Sequence, residues 1–87
     1  MAQIVYAASA LDDVERAHLA GNAAGIRSAV ENLAAHPLVG RRVEGDLREL
    51  VISFGATGYV ALYRFVLLKD EVRVLALRHQ REIGYLP

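Results

Sequence analysis

GYVALYRFVLLKDEVRVLALRHQREIGY, residues 58–85, is the stretch of this sequence that decides the fold. Two apolar runs, 59–68 and 72–77, are rich in β-branched and aromatic residues and are separated by the charged residues Lys69, Asp70 and Glu71. Runs of this composition, bounded by turn-forming residues, predict strands rather than helices. We therefore expect a long antiparallel hairpin with its tip at Lys69 and Asp70.

This tip also predicts a register, because side chains alternate between the two faces of a strand. A loop of four residues, 68–71, predicts the same register. The expected opposed pairs are Leu67–Val72, Phe65–Val74 and Tyr63–Ala76 on one face, and Val66–Arg73, Arg64–Leu75 and Val60–His79 on the other.

A short strand and a helix are predicted at the amino end of the chain. The strand candidate is QIVYA, residues 3–7. Ser9 opens an S-x-x-D pattern typical of a helix start, in which the hydroxyl caps an unpaired backbone amide. The apolar stripe expected on this helix comprises Leu11, Val14 and His18, with Asp13 and Arg16 on other faces.

A second helix is predicted over residues 23–35, after a break at Gly21 and Asn22. Its apolar residues recur at the spacing of one helix face, and Pro37 ends it. Two helices joined by so short a connection form an antiparallel hairpin. The apolar face of this helix is expected to comprise Ile26, Ala29, Val30 and Leu33.

The middle of the chain predicts one further strand. Residues 38–46, LVGRRVEGD, form a turn-rich, charged connection, residues 47–54, LRELVISF, are a strand candidate, and residues 55–58, GATG, form a turn. The order β-α-α-β-β-β predicts an α+β fold, with an N-terminal strand and a helical hairpin packed on a mostly antiparallel sheet. Residues 1–87 are expected to form one domain, in which the first strand can pair parallel to another.

Composition limits the classes of function. Apolar residues are 54% of the 87, which is generous for so small an interior, so apolar surface is expected to lie against another chain. Ten basic and ten acidic residues give no overall charge to attract nucleic acid or a membrane. The sequence has no cysteine, no signal-peptide pattern and no apolar run of roughly 20 residues, so we expect a cytoplasmic protein.

Few side chains are candidates for chemistry. The three histidines, His18, His36 and His79, lack the spacing of metal ligands, so neither a metal nor a cofactor is expected. Arg64 interrupts an otherwise apolar strand, and burial of an unpaired guanidinium is costly. It is therefore either an exposed arginine, paired for instance with Glu49, or a contact for an anion on a basic face.

A second group of polar residues lies where the last strand is expected to end. The imidazole of His79 can act as an acid or base near neutral pH, and Arg81 can hold a phosphate. Tyr85 can stack on a base or donate a proton. Together with Arg48 and Arg64 these residues are candidates for RNA cleavage through the 2′-hydroxyl. The alternative is that they end the strand and bind a partner protein.

Two segments of the sequence carry a resemblance to a known family. They are residues 37–65, PLVGRRVEGDLRELVISFGATGYVALYRF, and residues 72–85, VRVLALRHQREIGY. Their most specific fragments are RELVI, GYVALYR and RHQREIGY, in that order. With these fragments the sequence resembles the RelE/ParE superfamily of toxins from bacterial toxin–antitoxin modules. The resemblance implies a toxin neutralised by a cognate antitoxin in a toxin–antitoxin hetero-oligomer, with no cofactor.

Two cellular targets occur in the resembled superfamily. RelE-like members cleave mRNA on the ribosome with several sheet cations and a C-terminal arginine and tyrosine, whereas ParE-like members poison DNA gyrase. Here Val60 stands where RelE-like nucleases carry arginine, and the central strand offers only Arg48. His79 takes the position of the C-terminal arginine, and Tyr85 matches the tyrosine.

Depletion of the cations that would stabilise a phosphorane favours a ParE-like gyrase inhibitor. The alternatives are a ribosome-dependent mRNA endonuclease, which would be an enzyme, and a toxin fold that binds an antitoxin without activity. For a nuclease, the candidate catalytic residues are His79, Tyr85, Arg64, Arg81 and Arg48.

Overall fold

A computed structural model describes residues 1–19, 21, 23–54 and 57–79 of the chain. Five strands form one sheet in the order β1-β5-β4-β3-β2, with two helices between the first and second strands. The elements are β1 (Gln3–Tyr6), α1 (Ala8–Leu19), α2 (Ala23–Glu31), β2 (Arg41–Glu44), β3 (Leu47–Phe54), β4 (Thr57–Val66) and β5 (Glu71–His79). Short 3₁₀ turns follow α2 at Asn32–Ala34 and β4 at Leu67–Lys69.

The sheet is antiparallel except where β1 pairs parallel to β5. This arrangement confirms the predicted α+β fold and the parallel position of the first strand. The predicted third strand, residues 47–54, coincides with β3. None of the helices in the described ranges is long and apolar enough to cross a membrane.

The core lies between one face of the sheet and the two helices. Burial of its apolar side chains is the main driving force for the fold, at about 25 cal/mol per Å² of apolar surface. The predicted face of α2 is confirmed, since Ile26, Val30 and Leu33 are fully buried. The sheet contributes Ile52, Tyr59, Ala61, Tyr63, Val72, Val74 and Leu77.

The predicted apolar stripe of α1 is confirmed at Val14, which is buried, and is wrong at Leu11 and His18. Leu11 is 55% exposed and His18 is exposed, whereas the buried residues of α1 include Ala10, Val14 and Ala17. The small alanine side chains allow α1 to approach the sheet closely. The buried face of α1 is therefore formed by small residues close to the sheet rather than by large apolar side chains. The same face carries a buried carboxylate, Asp13, which the sequence placed on another face.

The register predicted for the β4–β5 hairpin is also wrong. The connection is a 3₁₀ turn at Leu67–Lys69 closed by Asp70, which has a positive φ of 48°. Phe65 therefore lies opposite Val72, two residues from the expected partner. This turn includes Leu67, which the sequence analysis assigned to the strand.

A β-bulge at Leu75 determines which face carries the end of β5. Tyr63 pairs with Val74, but Leu62 pairs with Ala76, so Leu75 is an extra residue on β5. Beyond the bulge, Leu77 lies opposite Ala61 and His79 lies opposite Tyr59, rather than Val60 as predicted. Without the extra residue, alternation would place Leu77 and His79 on the face away from the helices.

The strand β2, residues Arg41–Glu44, was missed by the sequence analysis, which assigned it to a charged connection. All four residues are exposed, and a bulge at Val43 interrupts their pairing with β3. A strand at the edge of a sheet needs no apolar face, so its sequence lacks the alternation by which strands are recognised.

Beyond β1, the outer edge of β5 is covered by side chains of α1. The hydroxyl of Ser9 donates to the Leu75 carbonyl at 2.9 Å, and Asp13 accepts from the Leu77 amide at 2.9 Å. Ser9 thus lies inside α1 and bonds to the sheet, so its predicted role as a helix cap is wrong. These two bonds satisfy backbone groups that would otherwise be left unpaired at a sheet edge.

Candidate functional site

The structure places the three predicted site residues that it describes apart from one another. His79, Arg64 and Arg48 lie in the described part of the chain, at the end of β5, in β4 and in β3 respectively. Arg81 and Tyr85 lie outside the described residues. The three described side chains occupy different surroundings, and each is taken in turn.

His79 lies beside α1, in a small cavity on the helix-covered side of the sheet. Its ring meets that of Tyr59 edge to face, with centroids 5.2 Å apart and an interplanar angle of 75°. The cavity has a volume of about 210 Å³ and is half polar in character, being lined by Asp13, Arg16, Ala17, Tyr59, Leu77 and His79. A histidine and a tyrosine in contact, with a guanidinium nearby, form a group able to transfer protons.

Asp13 joins this cavity to the sheet edge. Its Oδ2 accepts from the Leu77 amide and from Arg78 Nη1, both at 2.9 Å, and its Oδ1 accepts from Arg16. The carboxylate is only 4% exposed, so these charge-assisted bonds satisfy a charge that would be costly to bury alone. Asp13 thereby positions the last residues of β5, including His79, against α1.

Arg48 has a structural role in the described part of the chain. Its Nη1 donates to the carbonyls of Leu38 at 3.1 Å and Gly40 at 2.8 Å. The Gly40 amide donates to the buried Tyr63 hydroxyl at 2.8 Å. Only glycine fits here, since a Cβ at residue 40 would lie 2.5 Å from that hydroxyl and 2.8 Å from the Glu49 carbonyl oxygen. The loop before β2 is thus held to the sheet by Arg48 and Tyr63.

Two tyrosines in the described part of the chain have a perturbed pKa. Burial raises the pKa of Tyr63, although the bond from Gly40 and the positive charge of Arg48 partly oppose the shift. Burial likewise raises the pKa of Tyr6, opposed by Arg27 and reinforced by Glu31. In both cases desolvation disfavours the phenolate, so the neutral hydroxyl is the form that the fold selects.

Arg64 lies on the opposite face of the sheet from His79. Its Nε contacts Asp46 Oδ1 at 3.0 Å, so the expected partner Glu49 is wrong; Glu49 instead accepts from Arg41. The Arg64 and Asp46 side chains are 50% and 71% exposed, which makes the pair weak. Arg64 is five residues from Tyr59 along β4, or about 17 Å at about 3.3 Å per residue.

In the ion pairs among the described residues, each arginine contacts either a carboxylate of its own or one that it shares with a second arginine. Arg73, directly opposite Arg64, is held by Glu71 at 2.8 Å. This balance prevents the two opposed guanidiniums from forming a basic patch. The five pairs are Arg16–Asp13, Arg41–Glu49, Arg64–Asp46, Arg73–Glu71 and Arg78–Asp13.

Sequence reasoning missed Asp13 and Tyr59, which line the same cavity as His79. A signal for Asp13 existed, since it lies between Ala10 and Ala17 on one helix face and a carboxylate among alanines on a buried face requires a partner. No sequence signal pointed to Tyr59, because its contact with His79 depends on the bulge at Leu75. Within the described ranges, no three histidine or acidic side chains are grouped to hold a metal ion.

A family model described as "ParE toxin of type II toxin-antitoxin system, parDE" matches residues 4–84 of the chain. The chain belongs to the ParE toxin family. This membership confirms the resemblance to the RelE/ParE superfamily that the motifs indicated.

One relative of this ParE family member carries a RelE name. Toxin RelE3 of Caulobacter vibrioides is 46% identical over 57 residues, which are 66% of this chain and 60% of that protein. The match therefore spans less than two thirds of the relative's length.

Two solved structures share the fold of this ParE family member. The intact E. coli RelBE toxin–antitoxin complex includes a chain that aligns with a TM-score of 0.71, covering 90% of this chain and 95% of that one. A metal-bound toxin from Helicobacter pylori aligns with a TM-score of 0.63, covering 95% and 99%. Both are 13% identical in sequence, which supports the fold alone.

Proposed function

We propose that this protein is the toxin of a type II toxin–antitoxin module and inhibits DNA gyrase without cleaving nucleic acid. The observation that carries the proposal is the dispersal of its cationic side chains. Arg48 is bound to loop carbonyls, and Arg64 lies on the opposite face from His79. The membership of the ParE family over residues 4–84 supports the same choice.

Phosphate chemistry requires several donors aimed at one point. Cleavage of RNA develops negative charge on a phosphorane, which is stabilised by cations and hydrogen-bond donors fixed within about 3 Å of its oxygens. His79 and Arg64 are separated by about 17 Å along the strand and by the thickness of the sheet. A single phosphate cannot contact both side chains, so the described residues favour a target recognised through protein contacts.

A cognate antitoxin is the partner that the proposal requires. The E. coli protein of the same fold was solved in complex with its antitoxin. Large apolar side chains are exposed at several places on this chain, as expected of a surface that another polypeptide covers. They include Leu11, Leu38, Val39, Val43, Val51, Leu67 and Leu68.

A ribosome-dependent mRNA endonuclease is the second candidate, and two observations favour it. Toxin RelE3 is a relative at 46% identity. His79 and Tyr59 also meet in a cavity that Arg16 lines, a combination suited to proton transfer. In this mechanism His79 would act as acid or base, while Arg16 rather than Arg64 would stand near the phosphate.

Two assays on the purified protein separate the candidates. The first follows supercoiling of relaxed plasmid by gyrase, and the second follows cleavage of mRNA in programmed ribosomes. Both are repeated with the double variant His79→Ala and Tyr85→Ala, and with His18→Ala as a control that removes an exposed imidazole on α1. We expect supercoiling to be blocked by all three proteins and the message to stay intact.

Other outcomes would favour other functions. Message cut by the native protein and by His18→Ala, but not by the double variant, would contradict the proposal and establish the endonuclease. A protein inert in both assays and harmless when expressed without an antitoxin would be a toxin fold that has lost its poison. Capture of the protein encoded by a neighbouring gene tests the antitoxin separately from the target.

A further inference from the structure

Among the described residues, one segment of the sheet has a backbone edge that no other strand covers. The strand β2 pairs only with residues 47–49 of β3, through Arg41, Arg42 and Glu44. The remaining residues of β3, 50–54, pair with β4 on one side and with no described strand on the other. Every second residue of this segment therefore directs its N–H and C=O outward.

By contrast, the part of β5 that extends beyond β1 has its outer backbone edge covered by side chains. Where β5 runs past β1, Ser9 and Asp13 bond to its outer edge. Among the described residues no hydrogen bond from a side chain or from a loop reaches the outer edge of residues 50–54. An uncovered strand edge is a template for pairing with another strand.

An apolar groove adjoins this edge. Its volume is about 400 Å³, and it lies between α2 with its following turn on one side and the end of β3 on the other. Val39 and Val51 at its mouth are 62% and 53% exposed, values unusual for valine in a folded domain. The lining residues are Ala29, Asn32, His36, Val39, Leu50 and Val51.

The chemistry of the edge specifies its occupant. Residues 50–54 read LVISF and contain no charge, although 23% of the chain is charged. The strand that matches them must be extended, uncharged and apolar at alternate positions. The chain itself carries such a strand, namely residues 50–54 of a second copy, whose outer edge pairs with no other described strand.

We propose that two copies of this chain pair through residues 50–54 of β3, antiparallel about a two-fold axis at Ile52. Leu50 of one copy then stands opposite Phe54 of the other, and Val51 stands opposite Ser53. No like charges oppose each other, and the zero net charge of the chain adds no long-range repulsion.

The pairing is closed and does not obstruct β2. Each copy uses the same segment, so the contact is isologous and stops at two chains. In this register the β2 strands lie outside the paired segment, at opposite ends of it, because each covers only residues 47–49. The two five-stranded sheets become one continuous sheet. A contact this short predicts a weak dimer, in the micromolar range.

Sedimentation of the full-length protein tests the surface. The native chain is expected to show a monomer–dimer equilibrium that depends on concentration. Val51→Lys places a charge on the exposed edge, a substitution that discourages strand pairing, and should weaken the dimer at least about tenfold. Leu68→Lys, at the 99% exposed tip of the β4–β5 hairpin, is the matched control and should leave the equilibrium unchanged.

Disulfide trapping tests the register. The chain has no cysteine, so a single substitution gives one thiol per copy. Residues directly opposed in an antiparallel pair have Cα atoms about 4.5–5.5 Å apart, within the range that a disulfide spans. Ile52→Cys should oxidise to a covalent dimer, whereas Leu50→Cys, which faces Phe54 of the second copy, should not.

Three results would overturn the proposal. They are a native protein that is monomeric at every concentration, a dimer that Val51→Lys leaves intact, and cross-linking by Leu50→Cys as readily as by Ile52→Cys. A monomeric native protein would leave the edge to a strand of another polypeptide such as the antitoxin. The sedimentation of Val51→Lys decides the matter even if the cysteine variants fold poorly, and it is independent of the toxin's target.

Discussion

At the scale of single residues, Asp13 does more than any other described side chain to connect the two layers. It accepts hydrogen bonds from the Leu77 amide and from two arginines, while its own carboxylate is almost fully buried. One side chain of α1 therefore covers a strand edge, forms ion pairs with two arginines and lines the cavity beside His79. Its contribution is to position groups on which the site depends.

Replacement of Asp13 is expected to destabilise the protein. Asp13→Ala leaves the Leu77 amide without its acceptor and should cost about 3 kcal/mol of unfolding free energy. Asp13→Asn keeps an acceptor and should cost roughly half as much. Asp12→Ala, a change at an exposed neighbour, should stay within about 0.5 kcal/mol of the native protein. Urea unfolding measures all three, and equal effects at residues 12 and 13 would refute this role.

The raised pKa of Tyr63 predicts that the protein loses stability at alkaline pH. Its pKa is raised by burial, so the unfolded chain ionises first as pH rises through about 10. The stabilisation is complete below that value and is lost as pH climbs toward the higher folded pKa. Tyr63→Phe removes this part of the decline, so the stability difference between the native protein and the variant should shrink between pH 8 and pH 11.

Urea midpoints at several pH values measure this effect. Tyr6 also has a raised pKa and contributes its own share of the decline. Tyr6→Phe is therefore the control, since it removes that share and leaves the share of Tyr63 in place. A Tyr63→Phe variant with the same alkaline decline as the native protein would show that Tyr63 does not control it.

At the scale of elements, the accuracy of the sequence predictions depended on how much apolar surface each element buries. The strand β3 and the inner face of α2 were predicted well, because apolar residues recur there at the expected period. The stripe of α1 was not, because its buried residues include alanines and an aspartate. The strand β2 has no buried face and therefore left no periodic signal.

The site was harder to predict than the fold. Spacing along β5 could not reveal the bulge at Leu75, because a bulge depends on the partner strand and on the turn that sets the register. A shift of one residue changes the face of every side chain beyond it, which is why His79 was assigned the wrong neighbour. The contacts of Arg48 with the Leu38 and Gly40 carbonyls likewise arise only when the loop folds back.

Deletion of Leu75 should lower the free energy of unfolding far more than Leu75→Ala does. Without the extra residue, Leu77 and His79 would turn away from the helices and Arg78 would turn toward the core. The loss of Leu77 burial together with an unpaired buried charge should cost about 3 kcal/mol or more. Leu75→Ala retains the bulge and should cost about 1 kcal/mol. Similar unfolding free energies for the two variants would show that the bulge does not set the face.

At the scale of the whole molecule, charge is balanced locally as well as in total. The five ion pairs distribute carboxylates beside arginines on both faces of the sheet. Proteins that bind nucleic acid through phosphates instead concentrate unpaired cations on one surface. The described surface is therefore suited to a protein partner, in agreement with its exposed apolar side chains.

Removal of two carboxylates should increase the affinity of the protein for nucleic acid. Asp46→Asn with Glu71→Gln releases the opposed Arg64 and Arg73. The double variant should bind duplex DNA non-specifically, with an affinity that falls steeply as salt rises, by roughly one logarithmic unit of slope for each phosphate contacted. Fluorescence anisotropy at several salt concentrations measures it.

A second double variant separates local from total charge. Asp12→Asn with Glu15→Gln changes the net charge by the same amount but acts on exposed positions of α1. Its affinity for DNA should rise less and depend less on salt than that of the sheet variant. Identical behaviour of the two would mean that total charge, rather than the pairing on the sheet, governs binding.

The bonds from Ser9 and Asp13 to the end of β5 have a consequence for the fate of the protein when it begins to melt. If α1 detaches, it exposes the core and at the same moment uncovers the backbone of residues 75–79, a segment with leucine at two of its five positions. Such a segment is a seed for aggregation. The helix α1 therefore protects the protein against intermolecular strand pairing, in addition to forming one layer of the fold.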